Sequence, residues 1–114
     1  MQLEAKKYLY DIQQAAARLA EFTSDASFQT YVHDALLRAA VERQLEIVGE
    51  ALNQLAKLDH AIAERITEYR RIIAFRNILI HGYAEVDHRI VWGVVESKLP
   101  KLREEVALLL AKNV

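Results

Sequence analysis

Apolar residues recur every three or four positions through most of the chain, the rhythm of helices that each bury one stripe. Tyr8, Ile12, Ala15, Leu19 and Phe22 make the first stripe, and Thr23-Ser24-Asp25 then ends that helix, because such side chains favour turns over helix interiors. Ser27 is placed to cap the next helix. The apolar positions of that helix, Phe28, Val32, Ala35 and Ala39, pass into Val41, Leu45, Val48, Leu52 and Leu55, predicting one continuous helix of roughly 30 residues. Asp59-His60-Ala61 marks a short break before Ile62 to Ile66. A third long segment runs from about Tyr69 to Tyr83 with Ile72, Phe75 and Leu79 as its core stripe, and Gly82 fits its end. Asp87 is placed to cap a fourth helix, with Val86 and Val91 as a hydrophobic staple. Trp92, Val95, Leu99, Leu102, Val106 and Leu109 keep the rhythm through Pro100, so the proline is expected to kink or restart the helix without ending its packing face. The expected architecture is all-α, an up-and-down bundle of four main helices in one domain over residues 1–114.

Composition narrows the function. The 53% apolar content supports a single core at this length, and 15 basic against 16 acidic residues leave a net charge of −1, which argues against indiscriminate, charge-driven nucleic-acid binding. Any nucleic-acid contact must then come from a local patch. The absence of cysteine removes disulfides, thiolate nucleophiles and cysteine-ligated zinc. The opening Met1-Gln-Leu-Glu-Ala-Lys-Lys lacks the apolar core of a signal peptide, and no apolar run approaches the roughly 18 residues of a membrane span, so a soluble cytoplasmic protein is expected.

Within the second helix Gly49 costs about 1 kcal/mol relative to alanine, which implies a compensating close approach of another helix. Glu42, Glu46 and Glu50 follow at spacing four and share a face; a solvated acidic stripe is one reading, and an inward Glu46 or Glu50 holding Arg76 is the other. Ala5, Tyr10, Ala40, Ile47 and Ala51 add apolar positions off the main stripes, and a homodimer through helix faces is the expected outlet for them. His33, His60 and His88 have no partner at ligand spacing and are read as isolated surface residues rather than metal ligands.

The densest chemistry lies at Arg76-Asn77-Ile78-Leu79-Ile80-His81-Gly82-Tyr83. Arginine keeps its charge and offers a fork of donors to phosphate oxygens. Histidine exchanges a proton near neutral pH, so His81 suits removal of the proton from a ribose 2′-hydroxyl that then attacks the adjacent phosphate. Asn77, one turn before His81, is placed to orient the imidazole or donate to the phosphate. Neither step calls for a metal. Between Tyr69 and Ala84 the chain carries Arg70, Arg71 and Arg76 and no acidic residue, a locally positive segment suited to RNA. The same residues also suit a purely structural helix, with Arg76 bound to a glutamate, His81 satisfied by a backbone carbonyl and the Tyr83 ring packed.

The eight residues resemble the Arg-x-x-x-x-His-x-Tyr signature of HepT-like proteins in the HEPN superfamily, the toxins of HepT–MntA type toxin–antitoxin systems. Glu42 to Ala51, Val86-Asp87 through Val91-Trp92, and Leu99-Pro100 are similar to that family's flanking segments. The resemblance implies a helical homodimer that brings two motifs into one cleft, and metal-independent RNA cleavage without a cofactor. It makes Arg76 and His81 the catalytic pair with Asn77 assisting, and Tyr83 the site that an MntA-like nucleotidyltransferase antitoxin modifies with AMP. Two other readings stay open: a non-catalytic helical subunit that binds a nucleotidyltransferase, and a helical nucleotide-binding subunit.

Overall fold

A computed structural model describes residues 1–82 and 86–112 of the chain. Its helices are α1 (Leu3–Thr23), α2 (Phe28–His33), α3 (Ala35–Leu58), α4 (His60–Ala63), α5 (Tyr69–His81), α6 (His88–Gly93), a π-helical turn (Val94–Lys98) and α7 (Leu99–Lys112). No strand occurs among the described residues, so the expected all-α class holds. None of the described helices is long and apolar enough to cross a membrane.

The packing follows from the stripes. Ile12, Ala15 and Leu19 of α1 meet Val41, Leu45, Val48, Leu52 and Leu55 of α3, while Trp92, Val95, Leu99, Leu102, Val106 and Leu109 close the other side, all buried in one continuous cluster. Helices α1 and α3 form the central pair, α7 lies against α1, and α5 lies against α3. Ala5 and Ala51, expected to be surplus to the core, are buried within it, whereas Tyr10 and Phe22 are exposed. Phe22, one residue before the end of α1, thus departs from the predicted stripe.

The predicted 30-residue helix is two helices. Asp34 has extended backbone (φ −117°, ψ 97°) and its carboxylate accepts from the Leu37 N–H at 3.0 Å, starting α3 afresh. An aspartate that can bond its own downstream backbone competes with helix continuation, and the apolar periodicity read straight through that break. Ser27 caps α2 as expected, in a reciprocal capping box with Thr30. Asp87 caps α6 by accepting from the Arg89 N–H at 2.8 Å.

Pro100 restarts rather than interrupts the last helix. It lacks the N–H that would bond back along an α-helix. The preceding turn widens to a π-turn in which the Leu99 N–H bonds the Val94 carbonyl five residues back. The buried stripe continues unbroken on either side.

Candidate functional site

Gly49 positions the site. It is buried on α3, and a Cβ built there would stand 2.2 Å from Arg76 Cβ and 2.7 Å from Arg76 Cγ. The backbone of α5 therefore rests against α3 at a point where only glycine fits, which explains the interior glycine of a long helix. From this seat the Arg76 side chain runs along α3. Its Nη2 donates to Glu50 Oε2 in a close ion pair, its Nη1 donates to Asn77 Oδ1 at 2.8 Å, and its Nε is buried without a partner among the described residues. Of the two glutamates expected to turn inward, Glu50 is the one that holds Arg76. Glu46 instead pairs with Arg43 at 3.8 Å, and Gln54 donates to the second Glu50 oxygen at 3.0 Å.

These groups line a cavity of about 250 Å³ between α1, α3 and α5, which also takes in Tyr8, Asp11 and Ile80. Three carboxylates against two guanidinium groups make it acidic on balance, a poor seat for a phosphate.

His81 is elsewhere. It is exposed at the last position of α5, with no backbone carbonyl satisfying its ring among the described residues. At 3.6 residues per turn Arg70, Asn77 and His81 fall within about 40° of one another around the helix, and all three are exposed. The outer face of α5 thus presents an arginine, an amide and an imidazole in line. Arg76 belongs to the inner side and touches this face only through its hydrogen bond to Asn77, which orients that side chain. The bond leaves the Asn77 amide N–H groups as donors beside His81.

Arg71 diverges from Arg70. Its Nη1 lies 3.7 Å from Glu68 Oε1, on the rim of an apolar groove of about 430 Å³ between α3, α5 and α7 whose floor includes Leu45, Val48, Ile72, Phe75, Leu99 and Leu102. Glu68 also reaches Lys98 at 3.2 Å. Tyr83, the expected modification site, lies outside the described residues.

Two of the three histidines read as isolated are not. His60 Nε2 bonds the Tyr69 hydroxyl at 2.8 Å, and its ring meets the Tyr69 ring edge-on at 6.0 Å. His88 is half-buried with its ring 6.1 Å from that of Tyr31. His60 is exposed as expected though not isolated, and His33 fits both parts of the expectation, an exposed side chain bonding its own helix at the Gln29 carbonyl. The tyrosines that meet His60 and His88 lie nine or more residues away, out of reach of a spacing argument, although Glu64, four residues on, also stands 3.5 Å from His60 Nε2.

A family model described as "Ribonuclease HepT-like" matches residues 12–109. Among curated proteins, "Putative RNase MJ1380" of Methanocaldococcus jannaschii is 32% identical over 108 residues, covering 93% of this chain and 96% of that one. "Putative RNase TTE0752" of Caldanaerobacter subterraneus is 34% identical over 108 residues, covering 95% and 96%. "Probable ribonuclease HepT" of Thermococcus cleftensis is 34% identical over 103 residues, covering 90% and 93%. No solved structure gives a significant match. A family match over most of the chain and relatives covered almost end to end agree: this chain belongs to the HepT-like ribonuclease family.

Proposed function

We propose that the chain is an endoribonuclease, the toxin of a type II-like toxin–antitoxin pair, working in the cytoplasm as a homodimer. The observation that carries this reading is the pairing of Asn77 and His81 on the exposed face of α5 in a member of a ribonuclease family. His81 takes the proton from a ribose 2′-hydroxyl; the oxygen attacks the neighbouring phosphorus, and the bond to the 5′-oxygen breaks. A protonated group then delivers a proton to that leaving oxygen, giving a 2′,3′-cyclic phosphate and a free 5′-hydroxyl. The Asn77 amide donates to the phosphate, and Arg76 serves as the charged brace behind it. His81 supplies the base, so the scheme needs no metal.

A second copy would supply the second proton donor. Ile78, 53% exposed and lying between Asn77 and His81 in the sequence, favours such an apposition at the motif. Control falls to Tyr83. Its phenol oxygen attacks the α-phosphorus of a nucleoside triphosphate held by a partner nucleotidyltransferase antitoxin, and pyrophosphate leaves. The attached AMP places negative charge beside the RNA path.

One observation favours a second reading, a non-catalytic subunit that docks a nucleotidyltransferase: the Arg76 donors are already engaged by Glu50 and Asn77. Purified chain and its His81→Ala and Arg76→Ala variants, incubated with RNA in the presence of a chelator, separate the two. The enzyme reading expects cleavage with cyclic-phosphate ends by the parent chain alone. Intact RNA throughout, or undiminished cleavage by His81→Ala, overturns it. Intact mass of the chain produced with and without a neighbouring nucleotidyltransferase tests the modification of Tyr83.

A further inference from the structure

At the amino-terminal end of α5 Tyr69 is almost wholly buried, yet its hydroxyl is held from two sides. Arg70 Nε donates to it at 3.0 Å, and His60 Nε2 lies 2.8 Å away. The Arg70 guanidinium carbon sits 5.6 Å from the centre of the Tyr69 ring. An exposed arginine ordinarily sweeps many rotamers, and ordering it costs free energy each time it binds. Here the Nε anchor and the ring fix the plane of the guanidinium. Its two terminal nitrogens form no hydrogen bond or ion pair among the described residues. Two parallel N–H donors on a pre-set plane match a phosphate.

The position gives the anchor its use. Arg70 lies eleven residues before His81 on the same face of α5, about 16 Å along the axis, with the small Ala74 and then Asn77 between them. Arg71, its neighbour, is turned toward Glu68 and the α7 groove. Resting on the ribonuclease reading, we propose that His60 and Tyr69 preset Arg70 as a phosphate contact remote from the cleavage point, so that an RNA strand lies along the outer face of α5 between Arg70 and His81. Tyr69 and His60 are positioning residues, and Arg70 is the group that touches RNA. Glu64, whose carboxylate stands 3.5 Å from His60 Nε2 and whose charge is felt at Arg70, is the anion that phosphate must outcompete.

The experiment measures binding of non-cleavable 2′-O-methyl RNA oligonucleotides of graded length by fluorescence anisotropy across a salt series, beside cleavage of the matching RNAs. Arg70→Ala is expected to weaken binding of long oligonucleotides and, by leaving one phosphate without its cation, to lower the slope of log affinity against log salt by about 0.7. Oligonucleotides too short to reach from His81 to Arg70 should bind Arg70→Ala and parent alike. Tyr69→Phe keeps the ring and the charge but frees the guanidinium, so affinity for long RNA should fall several-fold with the salt slope unchanged. Arg71→Ala should resemble the parent, and Glu64→Gln should bind long RNA more tightly, an effect that a merely structural role for this cluster would not produce. Parent-like binding of long RNA by Arg70→Ala, or an equal loss in Arg71→Ala, overturns the proposal while leaving cleavage by the parent intact. Length-dependent, Arg70-dependent binding without cleavage by the parent would uphold it and overturn the ribonuclease reading instead.

Discussion

Arg76 grows from α5 at the one point where α3 has no side chain: a Cβ on Gly49 would lie 2.2 Å from the Cβ of Arg76. The encounter involves two atoms fixed by their backbones, so no flexible side-chain end can give way. Gly49→Ala gains about 1 kcal/mol of helix propensity, but overpacking of this severity falls at the upper end of the usual cost of about 3 kcal/mol. A net loss of about 2 kcal/mol is expected in urea denaturation. Cleavage should fall further than stability predicts, because the displaced Arg76 releases Asn77.

Tyr31 supplies a test of the opposite sign. Its ring is fully buried 5.3 Å from that of Trp92, and its hydroxyl has no hydrogen-bond partner among the described residues. Burial pushes the phenol pKa far up, with Glu42 adding to the rise. Tyr31→Phe keeps the packing and removes the buried hydroxyl, so stability should rise by about 1 kcal/mol, read as a higher Tm. Tyr31→Ala should cost about 3–5 kcal/mol by opening a cavity.

Glu42 makes stability depend on pH. Burial raises its carboxyl above the ordinary value of 4.5, with Glu46 reinforcing the rise and His88 and Arg38 opposing it. The native chain therefore holds this proton more tightly than the unfolded chain. Linkage then makes the Glu42 contribution fall as pH climbs from near the unfolded value through the folded one. Glu42→Gln should stabilise the protein at pH ~7 and converge with the parent at pH ~4, as urea midpoints at the two pH values will show.

Glu68 begins α5 in the left-handed conformation, φ 58° and ψ 32°, the one described non-glycine residue with positive φ. Its carboxylate serves Lys98 and Arg71, both exposed pairs of small worth. Comparing Glu68→Ala with Glu68→Gly removes the charge from both and isolates the backbone. The glycine variant should be the more stable by about 1 kcal/mol in chemical denaturation.

The helical class, the buried stripes and the caps at Ser27 and Asp87 were legible because periodicity and capping are local. The division of the second helix was not, since Asp34 interrupts the backbone without interrupting the apolar rhythm. Among site residues, the Gly49 approach and a glutamate for Arg76 could be anticipated from a glycine and a carboxylate stripe within one helix. That Arg76 faces inward while Arg70, Asn77 and His81 share the outer face depends on which side of α5 meets α3, a relation no single helix contains. The His60–Tyr69–Arg70 assembly was hidden for the same reason, as a turn brings its histidine back onto the helix.

The groove between α5 and α7 bears on the order in which the molecule comes apart. Helix α5 leans on α3 and α7 leans on α1, with the apolar trench between them, whereas α1 and α3 pack directly on each other at the centre. The α5 amides should therefore exchange with solvent hydrogen through an opening that needs less free energy than global unfolding, ahead of those in the centre of α3. The helix that carries the chemistry is thus one the fold can release while the central pair α1 and α3 stays shut.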